Sequence, residues 1–123
     1  MICLYVDGFG AEKDQWTKVG NVPYLSWGPA SYVWEETAQQ ETGDYTFEDT
    51  AQAGHPTVVE IQVYCRRNPG VQTATVWIHD GAGWNNVGIV TPGAVNAWQT
   101  LDVSAILNTF AKINAAKIYL RYN

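Results

Sequence analysis

Charge is scarce in this chain: Asp, Glu, Lys and Arg together make up 15% of its 123 residues, against about 25% in an average soluble domain. Positive charge is scarcer still. There are 7 Lys and Arg against 12 Asp and Glu, a net charge of −5, and only Arg66 and Arg67 stand together. A chain without a basic stripe cannot neutralise a run of phosphates, so nucleic acid is excluded as a partner. No apolar run approaches the roughly 18 residues that a membrane-crossing helix needs, and no membrane insertion is expected. The opening residues, MICLYVDGFGAEK, lack the basic and long apolar regions of a secretory signal peptide. No Asn-x-Ser/Thr acceptor for N-glycosylation occurs.

Histidine and cysteine, the commonest carriers of nucleophilic and metal chemistry, occur twice each. His55 sits in the loop sequence AGHPT, and His79 ends a strand-like run beside Asp80. Neighbouring strand residues point to opposite faces, so His79 and Asp80 do not form an acid–base pair unless the chain bends sharply there. Carboxylates cluster as Glu35-Glu36, Asp44 and Glu48-Asp49. Asp44, Thr46 and Glu48 share the outward face of a strand, about 7 Å between alternate residues. That face reads in two ways: a Ca²⁺ site near Asp44 and Glu48, or a solvated surface, which is preferred because no ligand loop of recognisable spacing is present. No enzymatic activity is expected, and no cofactor apart from this calcium alternative. Cys3 and Cys65 both fall in strand-like segments; two free thiols are favoured over a Cys3–Cys65 disulfide.

What the chain does have is hydrophobic residues, 46% of the total, with six Trp and seven Tyr. That is enough to exclude a disordered chain and to fill one core at this length, so residues 1–123 read as a single domain. The clearest structural signal is residues 71–90, VQTATVWIHDGAGWNNVGIV. Ala74, Val76 and Ile78 alternate with Thr75, Trp77 and His79, the period of two of a strand. Asp80-Gly81-Ala82-Gly83 supplies a tight reversal, and the chain then runs back as a hairpin. Further strands are expected over 2–6, 15–19, 31–35, 44–49, 57–67, 97–103 and 116–122. Residues 22–29 carry two prolines and read as an edge segment or a wrapping loop. Asp102 or Ser104 can cap one short helix near 103–111, with Ile106, Leu107 and Phe110 on one face. Eight or nine short strands separated by turns give an all-β fold: an antiparallel two-sheet β-sandwich, specifically a jelly roll. Residues 1–15 are expected to form an N-terminal arm or an edge strand.

If the aliphatic residues face inward, Tyr64, Trp77 and Tyr119 face outward from three strands. Exposed rings stack on the apolar faces of sugars and anchor protein partners, so this trio is the candidate binding surface, for protein or glycan. The alternative is that a loop or arm covers one or more of the rings.

The order PYLSW…GDYTFED…VVEIQVYCRRN…ATVWIHDGAGWNNVG…WQTLDVSAILNTFAKINAAKIYLRY resembles a jelly-roll module that recurs in archaeal and in viral or phage-like surface and virion proteins. The likeness runs from about Trp16 onward. It is strongest at 43–47, 77–81 and 102–120, which are mostly strands and turns. In outline such modules are similar to carbohydrate-binding sandwiches. The resemblance implies a structural or binding role and brings no catalytic residues. The function expected is therefore that of a non-catalytic structural or assembly protein, a virion capsid, decoration or fibre component. It would contact itself or other structural subunits, in a virion or on an extracellular surface. The alternative is a carbohydrate-binding module of a surface protein.

Overall fold

A computed structural model describes residues 4, 6–10, 15–19, 32–35, 37–67, 70 and 72–123. Among these residues nine strands run in chain order: β1 (Val6–Gly10), β2 (Thr17–Val19), β3 (Tyr32–Trp34), β4 (Asp44–Phe47), β5 (Glu60–Cys65), β6 (Ala74–His79), β7 (Trp84–Val90), β8 (Ala97–Asp102) and β9 (Lys117–Tyr122). One short helix, α1 (Phe110–Asn114), lies between β8 and β9. Every pairing is antiparallel. Five strands form one sheet in the order β1-β4-β9-β6-β7, while β2 pairs with β3 and β5 pairs with β8. The all-β class expected from the alternation is thus observed.

The pairings nest around the turn between β6 and β7. β6 pairs with β7, β5 with β8 outside them, and β4 with β9 outside those. The turn at the centre is held by Asp80, whose Oδ1 accepts from the backbone N–H of Ala82 at 2.9 Å and of Gly83 at 3.0 Å. Gly81 adopts φ +96°, a conformation that costs glycine little and other residues more. One residue of β7 is extra: Val76 faces Gly88 while Trp77 faces Asn86. This bulge, with Gly88 at φ +129°, lets Val87 pack against the core as well as Val90.

β6 is the middle of the fold. Val76 and Ile78 are completely buried, with Ala74 beside them. Tyr45 of β4, Ile118 of β9 and Val90 of β7 complete the inner face of the five-stranded sheet. Ile61 and Val63 of β5 and Leu101 of β8 pack onto it from the other side. Val103, Leu107, Ile106 and Ile113 close the core next to them. The two apolar faces explain the fold: each strand buries alternate residues, and neither sheet can do so alone.

Two expectations need adjustment. The helix is not at 103–111. After β8 the chain makes one turn, in which Ile106 and Leu107 both donate to the Val103 carbonyl. The helix starts only at Phe110, where Thr109 Oγ1 accepts from the Lys112 N–H at 3.1 Å. Asp102 instead accepts from the Ser104 N–H two residues on, which stabilises a turn and not a helix start. The first described strand, expected over 2–6, runs on through Asp7 and Gly8 to Gly10, and β1 is an edge strand on β4. The proline-bearing segment 22–29, and Cys3 with most of 1–5, lie outside the described residues.

Candidate binding surface

The β5–β8 pair carries the most exposed aromatic side chains of the described residues. In β5, Ile61, Val63 and Cys65 turn toward the core, so Glu60, Gln62 and Tyr64 turn to solvent. In β8, inward Leu101 leaves Trp98, Thr100 and Asp102 on the outside. The register sets these residues opposite each other: Tyr64 faces Trp98, Gln62 faces Thr100, and Glu60 faces Asp102. The outer face is therefore a ladder of three rungs, aromatic, amide–hydroxyl and acidic, spaced about 7 Å along the strands.

Tyr64 is 53% exposed and Trp98 45% exposed. Their ring centroids are 5.1 Å apart, with the planes tilted by 47°. Such a pair presents a broad apolar surface to anything laid on it, with donors and acceptors on the next rung. At the acidic rung, hydrogen bonds from the side chain and then the backbone of Ser104 hold the Asp102 carboxyl below its ordinary pKa. Ser104 Oγ also accepts from the Val59 N–H at 2.9 Å, tying this end of the ladder to the start of β5.

The expected trio Tyr64, Trp77 and Tyr119 does not come together. Tyr64 is on the β5–β8 sheet, and the other two are on the five-stranded sheet. Trp77 and Tyr119 do face away from the aliphatic core, but Tyr119 is only 5% exposed. The register places Trp77 directly opposite Tyr119, and the two rings stack at 6.0 Å with planes 8° apart. The rings of Trp84 of β7 and Tyr119 meet at a steep angle with centroids 4.7 Å apart, and those of His79 and Trp84 do the same at 5.1 Å. Rings on neighbouring strands are close enough to cover one another, so Tyr119 is buried and Trp77 half-buried. Alternation tells which face a ring is on, not whether its neighbours cover it. Trp98 was missed by the sequence reading, although inward Leu101 fixes its direction.

Around Tyr119 three buried polar atoms have no hydrogen-bond partner: Asp44 Oδ1, Trp77 Nε1 and Arg121 Nε. Glu48 is exposed just beyond β4. No group of three or more His, Cys, Asp or Glu able to hold a metal ion exists among the described residues, so Asp44 and Glu48 gain no third such ligand there. His79 Nδ1 accepts from the Gly81 N–H at 3.1 Å, and Asp80 is engaged in its own turn, so each serves the hairpin and not the other. His55 Nδ1 lies 3.0 Å from the Asn108 carbonyl, joining two loops. Cys65 is a free, half-buried thiol, and burial raises its pKa. No described helix is long and apolar enough to cross a membrane.

Comparison of the chain with protein-family models, with curated proteins and with solved structures returned no match.

Proposed function

We propose that the protein is a non-catalytic glycan-binding sandwich that holds a sugar chain against the outer face of β5 and β8. The observation that carries this reading is the Tyr64–Trp98 pair, about half exposed and backed by Gln62 and Thr100 on the next rung. Sugars combine apolar C–H faces with dense hydroxyls. A ring platform followed by amide, hydroxyl and carboxylate groups matches both properties. A protein interface is a poorer fit, because interface centres are depleted of Glu and Asp. The nested pairing of β4–β9, β5–β8 and β6–β7 supports a jelly-roll topology, a ribbon rolled about the Asp80–Gly83 turn. The engagement of both histidines in turns and loops supports a binding role over catalysis. A glycan array probed with wild type and Trp98→Ala tests the reading. Signals lost in the variant support it; an array blank for wild type overturns it.

A second reading, assembly into a virion or another extracellular surface layer through contacts with itself or other subunits, has its own observation. Val58, Ile89 and Val95 are exposed apolar residues outside the aromatic ladder, and the strand-and-turn likeness to virion modules points the same way. Native mass at micromolar concentration tests it: a trimer or larger ring supports assembly, and a clean monomer counts against it.

A further inference from the structure

We infer that the sugar taken by this face is a short amino-bearing oligosaccharide, lying along β5 and β8 with one ring on Tyr64 and Trp98 and an ammonium group beside Glu60 and Asp102. The inference rests on the glycan reading above and adds the charge and the direction of the ligand.

Two carboxylates directly opposite in a strand pair repel each other, which is a cost for the empty protein. Both are exposed, and neither is in an ion pair with a described residue. The Ser104 bonds keep Asp102 ionised to lower pH. A cation placed between the two would relieve their repulsion and gain two charge-assisted hydrogen bonds. The acidic rung lies about 14 Å from the aromatic one along the strands, a span that needs a ligand longer than one sugar ring. Arg66, the next exposed cation along β5, is past the aromatic rung and about 20 Å from Glu60 by strand rise, too far to neutralise the acids. The chain as a whole carries −5, which further disfavours uronate or sulfated sugars. Tyr64 and Trp98 define the face independently of the acids, so charge sets the choice among sugars and not the existence of the site.

The test is an NMR titration of the full chain with three trimers: glucosamine, N-acetylglucosamine and galacturonate. The glucosamine trimer should bind tightest, weaken with added salt, and shift signals of Glu60 and Asp102 as well as Trp98. Glu60→Gln with Asp102→Asn should reduce its affinity several-fold and that of the N-acetylated trimer by clearly less, so that the preference between the two is lost. Equal binding of the two glucosamine forms, or preference for galacturonate, overturns the inference while the glycan reading stands. No binding of any trimer to wild type overturns both.

Discussion

Tyr64 and Trp98 stand directly opposite each other on β5 and β8, their rings 5.1 Å apart, and about half of each remains open to solvent. Large rings held this close while exposed are suited to a ligand more than to the core. Tyr64→Ala and Trp98→Ala should therefore abolish glycan binding. Each should lower unfolding free energy by only about 1 kcal/mol, the scale of one cross-strand pair. Urea melts beside a binding assay separate the two effects.

Trp77 and Tyr119 should behave in the opposite way. Tyr119→Ala opens a hole beneath Trp77 and Trp84 and should cost about 3 kcal/mol, while folded protein keeps its glycan affinity. Trp77→Phe keeps the stacked ring and removes a buried N–H that has no partner, so it should be close to neutral in the same melts.

The turn between β6 and β7 is sensitive to backbone conformation. Gly81→Ala must keep a positive φ and brings a Cβ within 3.3 Å of Ala115 Cβ. A loss of about 1–2 kcal/mol is expected in thermal unfolding. Gly93→Ala, where an added Cβ meets nothing within 4 Å, is the control and should leave the melt close to wild type.

Acid should weaken the same turn. Backbone hydrogen bonds from Ala82 and then Gly83 lower the Asp80 pKa below its ordinary 3.8, and Ser104 does the same for Asp102. A carboxyl with a lowered native pKa stabilises the fold fully above its unfolded pKa. That stabilisation is lost as pH falls from about 3.8 through the lowered native value. Asp80→Asn keeps an acceptor but does not titrate. Its melting temperature should fall less steeply than that of wild type across this window, which thermal melts at a series of pH values measure.

Cys65 should react slowly. It is half-buried and burial raises its pKa, so little thiolate forms at neutral pH. Alkylation followed by peptide mass spectrometry should show slow labelling of Cys65 in the native protein and rapid labelling in denaturant.

Periodicity made much of the fold legible. The alternation of Ala74, Val76 and Ile78 marked a core strand, and the strand expected over 57–67 contains β5. The helix was displaced because Asp102 and Thr109 are both acceptable caps in sequence. Only the packing of Val103 and Leu107 shows that the first begins a turn and the second the helix. The candidate surface was half legible. Tyr64 was identified correctly as outward, whereas Tyr119, equally outward by alternation, is covered by rings from β6 and β7. That covering depends on which strands become neighbours, and the period of a single strand does not contain it. Trp98 became visible as a site residue only once β8 was seen to pair with β5.

The most direct test of the central claim is an ¹H–¹⁵N NMR titration of the protein with oligosaccharide, following the Trp98 indole N–H and the amides of β5 and β8. Saturable shifts confined to Trp98, Tyr64 and the neighbouring rungs, and absent in Trp98→Ala, are the predicted result. Shifts centred on Trp77 and Trp84, or none at millimolar sugar, would contradict it.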